Sequence, residues 1–130
     1  MVVKFGIALL AAVFVFSFFS SCVQNIPVEN IKVVIVGADG TTIVEIEQKN
    51  YPSNLVVDIL SANNDVLQIP QSQLDDGFIT TIAGIEAVWG DVGSEWWWMF
   101  KVDGKFMMSG VSTTRVNDGQ VISFTLTEGF

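Results

Sequence analysis

Residues 94–100 read SEWWWMF, with three consecutive tryptophans in a chain of 130 residues. The run continues through Lys101 and Val102 to Asp103-Gly104, so it has the length of a strand and ends in the turn pair that closes a hairpin. A strand sends alternate side chains to opposite faces. Trp96, Trp98, Phe100 and Val102 therefore share one face, and Trp97, Met99 and Lys101 share the other. The first set is unbroken and apolar, which assigns it to a core. Burying Trp98 and Phe100 stabilises the fold by roughly 2–3 kcal/mol each, a large share of a total of about 5–10 kcal/mol. Trp97 and Met99 are left on the opposite face. Two readings stay open for them: they cover the second face of the sheet beside Trp89, under a loop from Glu86 to Ser94, or they form an exposed patch for a flat ligand, a glycan or a partner protein.

Upstream of this strand, IKVVIVGADGTTIVEIEQ, residues 31–48, reads as a hairpin. Ile31–Val36 is rich in β-branched residues, Asp39-Gly40 is a turn pair, and Thr42–Glu47 alternates, with Ile43, Glu45 and Glu47 on one face and Thr42, Val44 and Ile46 on the other. The period then changes. Leu55, Val56, Ile59 and Leu60 fall on one helical face, Ser53 is positioned as an N-cap, and Asn63-Asn64 supplies a stop, which predicts one short amphipathic helix. DVLQIP, residues 65–70, is expected to be extended, and QSQLDDG, residues 71–77, to be a polar loop. FITTIAGIEA, residues 78–87, reads as a strand broken at Gly84.

Downstream, KFMMSGV follows the Asp103-Gly104 turn, and Asn117-Asp118-Gly119 precedes a last alternating strand, QVISFTLT, with Ile122, Phe124 and Leu126 on one face. Hairpin, helix, then several strands predicts an α+β fold, a small β-grasp (ubiquitin-like) mixed sheet with one amphipathic helix packed on one face. A sheet covered on one side leaves its other side available.

Residues 1–21, MVVKFGIALLAAVFVFSFFSS, have one lysine followed by an apolar run, and the only cysteine, Cys22, comes next. The run is shorter than the roughly 20 residues that span a bilayer, so it reads as a secretory signal. Phe19-Ser20-Ser21-Cys22 resembles the bacterial lipoprotein signal, in which the cysteine is acylated. A lone thiol has no disulfide partner within the chain. The expected organisation is a signal at 1–21, a lipidated Cys22 with a short tether to residue 29, and one domain over 30–130, lipid-anchored to a bacterial cell membrane outside the cytoplasm. Removing Lys4 with the signal takes the formal charge from −8 to −9. So acidic a domain is not drawn to nucleic acid or to anionic headgroups.

The pattern of the second half resembles the C-terminal β-grasp domain of the transcobalamin and intrinsic-factor family, and the uncharacterised bacterial domains grouped with it. The resemblance rests on Gly84-Ile85 after a Thr-rich strand and on Trp98 opening a stretch that ends in Val102-Asp103-Gly104. Gly110-Val111-Ser112 and the Asp118-Gly119 turn complete it. It implies a domain that binds a soluble ligand. In the vitamin carriers that domain caps one side of cobalamin, using the loop that matches Thr81-Ile82-Ala83-Gly84 and aromatic residues near Trp97 and Trp98. A counterpart of the large helical domain that forms the other side in those proteins is not expected within these residues, so a corrinoid is expected to bind weakly at best.

Catalytic chemistry is not expected. The chain has no histidine, and its single cysteine is expected to be acylated. This removes His-dependent bases, Ser-His-Asp and Cys-His sites and the usual transition-metal ligands. Asp75-Asp76, Asp91 and Glu95 read as solvated loop acids. The Asp91–Glu95 loop lacks the ligand density of a dedicated calcium site, and no Gly-rich loop leads into a helix to cradle phosphate. The expectation is a non-enzyme without cofactor or metal. Its ligand-binding candidates are Trp97, Met99, Thr81, Ile82 and Trp89. Its partner is a soluble small molecule or, alternatively, another envelope protein met by the acidic, aromatic face.

Overall fold

The computed structural model describes residues 25–89 and 95–129. The expected signal at 1–21, Cys22 and the Asp91 loop acid lie outside the described residues. β1 (Val28–Val36) and β2 (Thr42–Tyr51) form the expected hairpin. Its turn needs Gly40 at φ +83°, a conformation in which a Cβ would crowd the backbone. The Thr41 N–H donates to Asp39 Oδ1 at 3.0 Å, and that bond holds the Asp39 carboxyl below its usual value of 3.8.

The helical layer differs from the expectation of one helix. It has three short pieces, α1 (Val56–Ala62), α2 (Asn64–Leu67) and α3 (Gln71–Asp76). α1 buries Val56, Ile59 and Leu60 as the period requires. Ser53 does not cap it. The Ser53 hydroxyl accepts from Leu55 N–H at 3.2 Å and donates to Asp58 at 2.7 Å. The orphan N–H groups of Val56 and Val57 are met instead by the carbonyls of Thr114 and Val111, at 2.9 and 3.0 Å. A distant loop thus satisfies what a local side chain was expected to satisfy.

DVLQIP is not extended, and QSQLDDG is not a loop. Asn64 accepts from Ile69 N–H and donates to Ile69 O, at 2.8 and 2.9 Å, closing the turn around Gln68. α3 follows Pro70 and stops at Gly77, whose φ of +77° ends the helix in the left-handed region. Leu67, Ile69 and Leu74 are the apolar anchors of this stretch. The 78–87 segment is also more broken than one strand. β3 (Thr81–Ile82) and β4 (Ile85–Glu86) form a separate small hairpin. Its turn, Ala83-Gly84, has positive φ at both residues, the geometry that matches strand twist in two-residue hairpins.

β5 (Trp96–Val102), β6 (Lys105–Phe106) and β7 (Val121–Glu128) complete a five-stranded mixed sheet of order β2-β1-β7-β5-β6. β1 and β7, the first and last strands, pair in parallel at its centre, and the other pairings are antiparallel. Ile31, Val33 and Ile35, together with Trp98, Phe100, Val102, Ile122 and Phe124, point to the helical side and are buried. Val44, Ile46 and Leu126 pack against them. Trp98, Phe100 and Val102 thus lie in the core as the alternation of the strand requires, whereas Trp96, expected with them, stands at the strand's start and is only half-buried, outside the core. Among the described residues no helix is long and apolar enough to cross a membrane.

Candidate functional site

The Asp103-Gly104 turn, with φ of +51° and +78°, folds β6 back on β5 so that Phe106 lies directly across from Lys101. Residues paired across a ladder share a face. Phe106 therefore joins Trp97, Met99 and Lys101 on the side of the sheet away from the helices. Its ring stands perpendicular to that of Trp97, with centroids 5.8 Å apart, an arrangement in which a positive ring edge meets a negative ring face. The Trp97 indole N–H donates to the Gly129 carbonyl. Both ends of the side chain are thus fixed, and the residue is half-buried.

β6 is only two residues long, and beyond it the chain loops away through Met107 to Val111. Opposite this loop runs Gly77-Phe78-Ile79. The two segments approach closely because both carry glycine: a Cβ on Gly77 would lie 2.5 Å from Ser112 Oγ, and one on Gly110 would lie 3.3 Å from Gly77 O. Between them is a cleft of about 320 Å³. Trp97, Phe106 and Phe78 line it, Met107 and Met108 contribute sulfur, and the stacked pair Phe100 and Phe124, 5.1 Å apart, lies at its buried end. None of the lining residues is charged. A second concavity, at Pro27, Tyr51 and Pro52, has a volume of about 390 Å³ but offers a single aromatic ring.

The expected ligand residues distribute unevenly around this cleft. Trp97 lines it. Trp89 reaches it indirectly, stacking on Phe78 at 6.5 Å and 27°. Met99 is half-buried on the same sheet face as Trp97 but is not among the lining residues. Thr81 and Ile82 stand elsewhere. The Thr81 hydroxyl accepts from Gln73 at 3.3 Å, and Ile82 is fully enclosed in the core, so its side chain has no surface to offer. Gln73, which sequence reasoning passed over, also accepts from Thr80 and Thr81 N–H at 2.8 and 2.9 Å and so holds the segment that carries Phe78 and Ile79. Phe78, Phe106 and Met108 were missed as well. Phe106 sits one residue beyond Lys105 after a turn, and only the observed pairing register assigns its face.

The most exposed large apolar side chains around the mouth are Met108 at 90%, Phe78 at 65%, Trp89 at 49% and Phe106 at 48%. Together they make an apolar rim on an otherwise acidic molecule. Among the described residues, no group of three acidic, histidine or cysteine side chains comes together to hold a metal ion.

A solved structure described as a "putative metal binding protein" from Ruminococcus gnavus ATCC 29149 is similar to this chain with a TM-score of 0.60. The two are 22% identical over 78% of this chain and 99% of the other, and at that identity the likeness is one of fold. No curated protein sequence matches the chain. A family model does, over residues 53–128, which takes in every wall of the aromatic cleft. On that match, which covers more than half of its length, the chain belongs to the family described as "Domain of unknown function (DUF4430)".

Proposed function

We propose that this domain is a non-catalytic binding module that stands outside the cytoplasm on a lipidated Cys22 and takes a soluble small molecule in the cleft between Trp97, Phe106 and Phe78. The cleft carries this reading. Its volume lies at the lower end of the roughly 300–1,000 Å³ of ligand pockets, and its walls are apolar and aromatic, as such pockets usually are. The strand order, with first and last strands parallel at the centre, supports a β-grasp assignment and with it the transcobalamin-like reading. A cleft of this size would take the edge of a corrinoid rather than enclose it.

Trp97 and Trp98 both line the cleft, so ligand entry should change tryptophan emission. Titration with a panel of corrinoids, other tetrapyrroles and smaller aromatic compounds is expected to quench it. The response should be lost in Trp97→Ala and reduced in Phe106→Ala. No response to any compound at millimolar concentration would sink the proposal. Mass spectrometry of the native N-terminal peptide tests the anchor separately, because an unmodified Cys22 thiol would remove it.

The exposed rim supports a second reading, a partner protein of the cell envelope that covers Phe78, Trp89 and Met108. Capture from envelope extract by the wild-type domain, but not by a Phe78→Ser, Met108→Ser double variant, is the outcome this reading expects. Equal capture by both proteins would dismiss it.

A further inference from the structure

We infer that the molecule taken by this cleft is an apolar carboxylate, whose flat body lies against Trp97 and Phe106 and whose anionic group is met by Lys101. The inference rests on the small-molecule reading of the cleft and names the class of compound.

It starts from the use of positive charge in a chain with 14 acidic residues and only 6 basic ones. Lys32 meets Glu45 at 3.1 Å, and Lys49 meets Glu47 at 3.6 Å. Arg115 donates to Asn25 and Asn54 at 3.0 and 2.8 Å. Among the described residues, Lys101 and Lys105 are left without an acidic partner. In so acidic a molecule, two unpaired lysines side by side at one strand end call for a reason.

Their placement supplies one for Lys101. It pairs directly with Phe106 and alternates onto the face that carries Trp97 and Met99. Its neighbours across β7 on that face are Ser123 and Thr125, hydroxyl residues that bring no countercharge. Lys105 pairs with Val102 and so points to the other face. Lys101 is not itself part of the cleft lining, which is uncharged, but it stands across the ladder from Phe106, which is part of it. An anion seated against Phe106 therefore has a cation beside it on that face, a cationic ligand meets like charge, and a neutral one leaves Lys101 unused. The lysine is half-exposed, so the pair is partly screened by water and is expected to give about fivefold in affinity.

Calorimetric titration of the mature domain with indole-3-acetate and with its neutral counterpart indole-3-acetamide separates the possibilities, since the two probes share shape and differ in charge. The acetate is expected to bind about fivefold more tightly at low salt and to lose that margin as salt is raised. Lys101→Met should abolish the margin, Lys101→Arg should keep it, and Lys105→Met should leave it unchanged. Circular dichroism of each variant confirms that the fold is intact, and the arginine variant keeps the test open if the methionine one fails to fold. Equal affinity for the two probes, or a margin that survives Lys101→Met, overturns the carboxylate assignment while leaving the cleft as a binding site. Binding of neither probe overturns the assignment together with the cleft.

Discussion

Adjacent tryptophans in β5 have separate duties, and each duty predicts its own phenotype. Trp98 is buried, and its indole donates to the Ile85 carbonyl at 3.0 Å, tying the β3–β4 hairpin to the main sheet. Trp98→Ala leaves a large cavity and an unmet carbonyl, and should cost about 3–5 kcal/mol, read as a fall in the midpoint of urea unfolding. Trp97→Ala removes a half-buried ring and should cost about 1–2 kcal/mol while removing the ligand response. Equal losses of stability in the two variants would contradict the division. Gly77 is as exacting in its own way: it combines φ of +77° with a Cβ position 2.5 Å from Ser112 Oγ. Gly77→Ala should therefore destabilise by about 1–2 kcal/mol and widen the cleft, because the 77–79 and 107–112 segments must part. At the β1–β2 turn, the Asp39 carboxyl titrates below its free value of 3.8 because it accepts from Thr41 N–H. A depressed native value means that the stabilisation is complete above 3.8 and is lost as pH falls through the native value. Asp39→Asn should remove that part of the acid sensitivity, which a carboxyl NMR titration would locate at Asp39.

Elements with a clear period were legible in the sequence, and elements held by distant partners were not. The alternation in Val44–Glu47, Trp97–Val102 and Val121–Glu128 and the i, i+3, i+4 spacing of Val56, Ile59 and Leu60 report burial directly, and the structure follows them, whereas at the strand starts Thr42 is exposed and Trp96 only half-buried. α2 and α3 have four and six residues, too few for a helical period to repeat, and their anchors are single residues such as Leu67 and Leu74. The start of α1 was misread for a related reason. Its N–H groups are satisfied by Thr114 and Val111 carbonyls, more than fifty residues away in sequence, and no local pattern encodes that. The cleft shows the same limit: Trp97 could be named from alternation, whereas Phe78 reaches the site only because Gly77 and Gly110 let two loops meet. The 110–116 loop thus serves both the helix and the cleft, and its own support is Thr114. This buried hydroxyl donates to Gly110 O at 2.8 Å and lies 2.7 Å from the Ser109 hydroxyl. Thr114→Val keeps the shape and removes both bonds. It should cost about 1–3 kcal/mol and increase amide exchange at Val56 and Val57, whose acceptors the loop supplies. Unchanged protection at those two amides would argue against the loop as the helix cap.

The whole molecule is organised by the pairing of its ends. β1 and β7 lie side by side at the centre of the sheet, with Val33 opposite Ile122 and Ile35 opposite Phe124, so the core cannot close until the last strand has joined the first. Loop closure over that span costs entropy before any contact repays it, and a parallel pairing gives no hairpin to nucleate it. The centre of this closure is Phe124, which is buried and stacks on Phe100 at 5.1 Å and 13°. Phe124→Ala removes the contact between β1, β5 and β7 at one stroke and should cost about 3–5 kcal/mol, a large part of the about 5–10 kcal/mol that such a domain holds. The topology also predicts slow folding. A fold dominated by non-local pairing is expected to form in about milliseconds to seconds rather than microseconds, and Trp98, buried only when β5 and β7 have paired, reports the event. Stopped-flow refolding followed by tryptophan emission should show its main phase in that range. Phe124→Ala should slow the main phase if the β1–β7 pairing forms in the transition state. It should instead speed unfolding, with refolding unchanged, if the two terminal strands join only after the barrier.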